Sequence, residues 1–360
     1  MELLSNLTIY FLAFIIVLSI IVFVHEYGHY YIAIINKVRV ESFSIGFGKE
    51  IIGWNDKRGT RWKICYLPFG GYVKMFGEDI FSKKKIPKNL TKYAFSHKNV
   101  FQRISIVLAG PLANFIFGII GFAFIYYFIG TLYTPPVINN VEKNSPAYSS
   151  GLLKNDKIIT IDKKKIKNFS DIGTYLNLYK KDNYDLKIKR NDEFLIVKVT
   201  PILIDQEFYG QKRKVAKIGI SSYEPKRIKH TFIKSLYLGT TSTYEICSLT
   251  LKALKQMFIG KGSFDDLGGP IKIAHFSGQM LNEGFLSFLN LIILLSVSIG
   301  LINLFPIPVL DGGHLVFYFI EVFLGKPVNK NFQENMFKIG FVIIITLAVL
   351  LTYNDIINLF

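Results

Sequence analysis

The sequence predicts a polytopic α-helical membrane protein with about four transmembrane helices and β-rich segments carried between them. Three observations predict it. The 360-residue chain is 50% hydrophobic and 15% aromatic with a positive mean hydropathy, too apolar for an ordinary soluble protein. Four long stretches are free of charge: Leu7–Val24, the run from Arg103 to Glu142, the run from Glu283 to Asp311, and the run from Lys338 to Asp355. Stretches of about 20 apolar residues are what a bilayer requires of a spanning helix. The segments between them switch to period-two alternation and turn signals, which read as strands.

Residues 1–35 are expected to form the first span. The start carries Glu2 and no Lys or Arg, and no small-x-small cleavage site follows the apolar run, so a retained anchor is expected rather than a cleaved signal peptide. Residues 36–100 hold VRVESFSIGFGKE, with Phe43, Ile45 and Phe47 on one face. RWKICYLPFGGYVKM follows, with Trp62, Ile64 and Tyr66 on one face. Two such runs separated by Asn55, Asp56 and Gly59 predict β-hairpins. A basic loop, SKKKIPKNLTKY, suits an anionic lipid surface.

Residues 101–130 give the second span. In AGPLANFIFG, Gly110 and Asn114 lie one turn apart, a small and a polar residue on one face for close helix packing. Residues 131–225 are soluble in character. The stretch SPAYSSGLLKNDKIITID resembles a PDZ domain, followed by a helix from Ser170 and the hairpin YDLKIKR-ND-EFLIVKV. One copy of that pattern is visible. Residues 226–284 read as an amphipathic interfacial segment, because Lys234–Ile259 has a helical pattern interrupted by Glu245, Lys252 and Lys255. Residues 285–313 are the third span, 314–335 a cytoplasmic loop and 336–360 the fourth span.

The formal charge is +17, and its distribution carries the information. Met1–Val24 and the tail after Lys338 hold no Lys or Arg, whereas Tyr30–Arg103 holds fifteen. The excess of basic residues places that loop and the Lys326–Lys330 connection in the cytoplasm, with both termini outside. The lysines are scattered and form no recognisable nucleic-acid module, so no nucleic acid is expected as a partner. Cys65 and Cys247 are the only cysteines; a disulfide framework and a thiolate-rich metal site are excluded.

The first span ends in VHEYGHYY, with His25, Glu26 and His29 in the pattern H-E-x-x-H. On a helix, residues four apart share a face, so two imidazoles reach one metal ion while Glu26 sits beside it. Zinc uses such N and O donors and keeps one position open for water, whose proton a carboxylate can take. A third ligand is offered by NLFPIPVLDGGH, Asn303–His314. Asp311 ends an uncharged run, where a carboxylate is costly unless paired or metal-bound. Pro306 and Pro308 break the helix there, and Gly312–Gly313 permit a tight turn. With the spans oriented as above, His29 and Asp311 come to similar depth near the cytoplasmic face. His₂Asp donors also suit iron and cobalt.

HEYGH on a first span together with NLFPIPVLDGG on a later one resembles the site-2 protease family of intramembrane zinc metalloproteases, and within it the bacterial regulator-of-sigma-E type. The resemblance implies that His25, His29 and Asp311 bind Zn²⁺, that Glu26 is the base, and that Asn303 positions the substrate or polarises its carbonyl. It implies a re-entrant β-hairpin on the cytoplasmic side that pairs with an unwound substrate strand, and an extracytoplasmic PDZ-like domain. Such a domain either binds a peptide ligand or screens bulky ectodomains by size. The implied location is the bacterial inner membrane. The implied partners are the lipid bilayer and single-pass transmembrane substrates, such as anti-sigma factors or remnant signal peptides. His314 follows the family's wording without being a ligand. A receptor holding structural zinc would need a fourth ligand and has no use for Glu26. A metal transporter would need polar residues along spans two and four, which offer almost none.

Overall fold

The computed structural model describes residues 2–78, 86–208, 211–260 and 268–359. Among the described residues, four helices are long and apolar enough to cross a membrane, within Thr8–Ile35, Val100–Phe128, Phe285–Asn303 and Lys330–Ile357. The chain divides into two compact units. The first comprises residues 1–122, 239–247 and 268–357, and the second mainly residues 123–238 and 248–267.

The first unit starts with α1 (Glu2–Ile35), followed by β1 (Val40–Asn55) and β2 (Arg61–Met75). β1 pairs antiparallel with β2 through repeated register shifts. Phe43 lies opposite both Val73 and Trp62, and Ser44 opposite both Tyr72 and Lys63. The two long strands therefore bend back on themselves into a compact sheet, more than the plain hairpins that the alternation predicts. Gly46 and Gly48 adopt positive φ at the bend, where a side chain would be strained. The buried edge of the sheet (Val40, Phe43, Val73, Met75) packs on Tyr30 and Ala33 of α1 and on Ile106 and Val107 of α2 (Val100–Phe128).

The second unit holds β3 (Thr131–Tyr133), β4 (Ile138–Val141), the one-turn α3 (Pro146–Ser149), β5 (Lys157–Ile161), β6 (Lys164–Lys165) and α4 (Ser170–Tyr179). β7 (Tyr184–Arg190), β8 (Glu193–Val199), β9 (Ile202–Phe208), β10 (Gln211–Lys217), β11 (Ile220–Ser222) and β12 (Lys226–Ile228) follow. Four strands form an antiparallel sheet in the order β6-β5-β7-β8, while β4 pairs with β11, β9 with β10 and β3 with β12. In β7 the period-two pattern is obeyed: Tyr184, Leu186 and Ile188 are buried, Asp185 and Lys187 exposed. They join Ile158, Ile161, Ile172 and Leu176 in one core. The buried Tyr184 hydroxyl donates to the Leu176 carbonyl at 2.9 Å and accepts from Lys181 N–H at 2.8 Å, so its polar end carries no burial penalty.

The chain continues through α5 (Phe232–Phe258), α6 (Pro270–Glu283), α7 (Phe285–Asn303), α8 (Asp311–Leu324) and α9 (Lys330–Leu359). The stretch 314–335, expected as a loop, contains most of α8. Its apolar pattern LVFYFIEVFL outweighs the turn signal of Gly312–Gly313, and Asp311 in the first turn favours the helix dipole. In the first unit, Ala13, Val17 and Ile21 of α1 pack on Phe288 and Ile292 of α7, bringing the two sequence motifs onto neighbouring helices.

Candidate metal centre

All of the predicted site residues lie in the first unit. His25 and His29 project from the same face of α1, with their rings edge to face at 4.8 Å between centroids and their Nε2 atoms 3.2 Å apart. Two contacts hold the rings from behind. His29 Nδ1 lies 2.9 Å from the Ile106 carbonyl of α2; a carbonyl only accepts, so Nδ1 carries the proton and Nε2 presents a lone pair. His25 Nδ1 lies 3.3 Å from the Asn114 side-chain amide.

The third group stands at the start of α8, just after the loop that leaves α7. This loop is tight because Gly312 and Gly313 admit its backbone. A Cβ on Gly312 would clash with the carbonyls of Leu304 and Phe305, and one on Gly313 would stand 2.7 Å from Pro308 Cα. Val309 has φ of 101°, a conformation that β-branched residues seldom adopt. Asp311 Oδ2 is thereby set 3.1 Å from His25 Nε2, and Oδ1 3.5 Å from His29 Nε2. The side chains are only 12%, 10% and 17% exposed for His25, His29 and Asp311.

These separations bear on whether a metal fits. Tetrahedral bonds of about 2.0–2.1 Å imply donor atoms about 3.3 Å apart, close to the observed 3.1–3.5 Å. Asp311 Oδ2 is buried with no hydrogen-bond partner, which is costly for a carboxylate unless a cation satisfies it. The two imidazole nitrogens and this oxygen converge, within 4.8 Å of one another, and form the one such cluster among the described residues. The donor set fits a divalent ion with an open position.

The cluster opens into a cavity of about 950 Å³ that Glu26 and Asn303 also line. Glu26 is half-buried on α1. Gly71 of β2 lies close beside it, where a Cβ would be 3.4 Å from Glu26 Cγ, and Val73 N–H faces the carboxylate. Elsewhere in the cavity wall, Arg103 of α2 pairs with Glu321 of α8 at 2.5 Å and lies over the Tyr318 ring at 4.9 Å. His314 packs against Phe337 of α9 at 4.9 Å. The exposed His97 lines the same cavity.

Two features escape sequence reasoning. The GPLAN stretch, expected to serve helix packing, also touches the histidines: a Cβ on Gly110 would collide with the His29 ring, and Asn114 reaches His25. Tyr30 hydroxyl donates to Asp56 at 2.9 Å, tying the β1–β2 turn to α1. The only sequence signal for either is an unusual polar residue inside or beside an apolar run.

An HExxH helix, a carboxylate from a proline-broken helix and a shared cavity define the metallopeptidase class of site. The chain belongs to peptidase family M50, whose profile matches residues 13–347 and whose members are zinc-dependent. It is 42% identical over 353 residues to a protein of Rickettsia conorii provisionally named a zinc metalloprotease, covering 97% of this chain and 99% of that one. A provisionally named zinc metalloprotease of Agrobacterium fabrum is 37% identical, covering 98% and 97%. One of Clostridium acetobutylicum is 35% identical, covering 98% and 97%. A crystal structure of the PDZ domain of an SdrC-like protein from Listeria monocytogenes is 21% identical, with a TM-score of 0.21, covering 26% of this chain and 90% of that one. A likeness at that TM-score carries no weight for the fold.

Proposed function

We propose that the chain is an intramembrane zinc endopeptidase of the site-2 protease type that hydrolyses peptide bonds within single-pass transmembrane segments. One observation carries the reading. The two HExxH imidazoles and Asp311 converge at 3.1–3.5 Å in a cavity that Glu26 and Asn303 also line, while the flanking helices are apolar enough for a bilayer.

In this reading His25, His29 and Asp311 hold the ion. Zinc bound there would supply Lewis-acid chemistry, activating water and polarising the scissile carbonyl. Glu26 acts as general base: it takes the proton of the attacking water and delivers it to the leaving amide nitrogen. Asn303 directs its amide toward the carbonyl oxygen and stabilises the charge that develops on it. The β2 segment Gly71–Met75 runs beside Glu26, with one side paired to β1. An unwound substrate strand would add to its other side, which fixes an extended peptide beside the base.

The basic excess in Tyr30–Arg103 supports a cytoplasmic-side site with both termini outside, and bacterial relatives support a cytoplasmic (inner) membrane location. The second unit would then lie outside as the PDZ-like domain, binding a peptide or excluding large ectodomains. Anti-sigma factors and remnant signal peptides are the substrate classes that suit this arrangement.

The test uses the full chain in detergent with a tagged single-pass substrate, comparing wild type with Glu26→Gln and measuring zinc in both. Equal zinc content, with cleavage reduced at least ~100-fold in the variant, is the expected result. Equal cleavage by both proteins would sink the proposal.

A further inference from the structure

Asn114 is fully buried within α2, in a helix otherwise apolar around it. Two of its contacts are plain packing. Its Cβ would be 3.0 Å from a Cβ at Gly300 of α7, and its backbone carbonyl accepts from Ser296 Oγ at 3.4 Å. Neither uses the amide. The amide instead faces His25 Nδ1 at 3.3 Å, while its Oδ1 is buried with no hydrogen-bond partner.

The two ends of a carboxamide are nearly isosteric, and a half-turn about χ2 exchanges them. The imidazole decides which end is needed. A neutral His25 that offers its Nε2 lone pair to a cation must carry its proton on Nδ1. A buried Nδ1–H needs an acceptor, and among the described residues no group other than the Asn114 amide bonds to it. With Nδ2 toward the ring, the proton would sit on Nε2 and close the donor set. With Oδ1 toward the ring, both imidazoles donate from Nδ1 to an oxygen: His29 to the Ile106 carbonyl, His25 to Asn114.

We propose that Asn114 is a positioning residue for the metal centre: its Oδ1 accepts the Nδ1–H of His25, fixing the tautomer and ring orientation that leave Nε2 free to bind zinc. This rests on the reading of His25, His29 and Asp311 as the zinc ligands. Groups that orient metal-bound histidines in this way affect metal affinity by about 10–100-fold.

The experiment measures zinc affinity by chelator competition in the purified full-length protein, for wild type, Asn114→Leu, Asn114→Asp and Ser296→Ala. Leu keeps the Cβ and backbone contacts and removes the acceptor; Asp keeps an acceptor. Expected are a loss of about 10–100-fold for Leu and affinity at or above wild type for Asp and for Ser296→Ala. Zinc bound by Asn114→Leu within threefold of wild type overturns the role. Absence of zinc binding in wild type would instead overturn the underlying site.

Should Asn114→Leu fail to fold, proton NMR of the Co²⁺-loaded wild type decides. Two solvent-protected, hyperfine-shifted imidazole N–H signals are expected, one of which moves in Asn114→Asp and stays in place in Ser296→Ala. One protected signal, unmoved by Asn114→Asp, overturns the proposal.

Discussion

Gly110 of α2 lies directly against the His29 ring: a methyl at this position would overlap Nε2 and Cε1. The reciprocal contact lies one residue earlier on each helix, where Gly28 faces the Ala109 carbonyl so closely that no side chain fits. The two glycines let the helices approach until the Ile106 carbonyl reaches His29.

Gly110→Ala is therefore expected to reverse the usual sign. In a free helix the change stabilises by about 1 kcal/mol. Here overpacking is expected to cost about 1–3 kcal/mol and to displace the imidazoles from the shared point. Zinc content after dialysis against a weak chelator, with thermal unfolding in the same detergent, checks both. Unchanged zinc retention with a raised melting temperature would show that the helices separate easily and that the contact is not needed.

How much of this was legible beforehand differs between residues for physical reasons. His25 and His29 could be placed on one face from their spacing, because the helical repeat is a local property of the chain. Asp311 could be matched to them only through cost, since a carboxylate ending a long apolar run needs a partner. The Asn114–His25 contact joins residues 89 apart in sequence, and an amide in an apolar helix reads equally well as packing. The doubled register of β1 and β2 was invisible because alternation states which face is buried, not which neighbours a bent strand meets. Helix α8 was hidden by its own Gly312–Gly313, whose use is close approach to the loop and not a continuing turn.

Metal removal should loosen the first unit. Asp311 Oδ2 is buried beside His25 Nε2, with Oδ1 beside His29 Nε2, and Oδ2 has no hydrogen-bond partner. Bound zinc at 100 times its dissociation constant would add about 2.7 kcal/mol of stability. Stripping with a chelator should lower the unfolding temperature and speed proteolysis, and added Zn²⁺ should restore both. Asp311→Asn should show little response to either treatment. A thermal midpoint that chelation leaves unmoved would contradict a linked metal site.

The turn after β1 supplies a pH test. Burial pushes the Asp56 carboxyl upward, but hydrogen bonds from Trp62 Nε1 at 3.0 Å, the Thr60 N–H, the Tyr30 hydroxyl and the Arg58 N–H together hold it below the ordinary carboxylate range. A carboxylate whose folded pKa is lowered stabilises fully above its unfolded pKa of about 3.9 and loses that contribution as pH falls through the folded value. The turn should hold from neutral pH to about 4 and loosen below it. Tryptophan fluorescence reports this, since Trp54 and Trp62 are the only tryptophans and both lie in the sheet. Asp56→Asn should give the acid-loosened signal at neutral pH and a flat profile; a wild-type-like profile would remove Asp56 from the account.

In the second unit, Asp156 is 1% exposed and accepts both Arg190 Nε and Nη2 at 2.7 Å, with Leu153 N–H at 2.8 Å. Arg190 also donates to the carbonyl of Gly151, which turns at φ of 76°. Removing one partner of a buried pair strands the other charge, at a cost of about 3–5 kcal/mol, whereas replacing both groups is far milder. The Arg190 side chain is 26% exposed, so water offsets part of the loss and the lower end, about 3 kcal/mol, is expected for Arg190→Met. The double variant Arg190→Met/Asp156→Asn should recover part of it, because no charge is then left buried. Limited proteolysis of the full chain across a urea gradient, read on fragments of this unit, gives the midpoints of Arg190→Met, Asp156→Asn and the double variant. If the double variant is the sum of the two single losses, the pair is not coupled, and the unit is held by its Tyr184–Leu176 core and Gly151 turn alone.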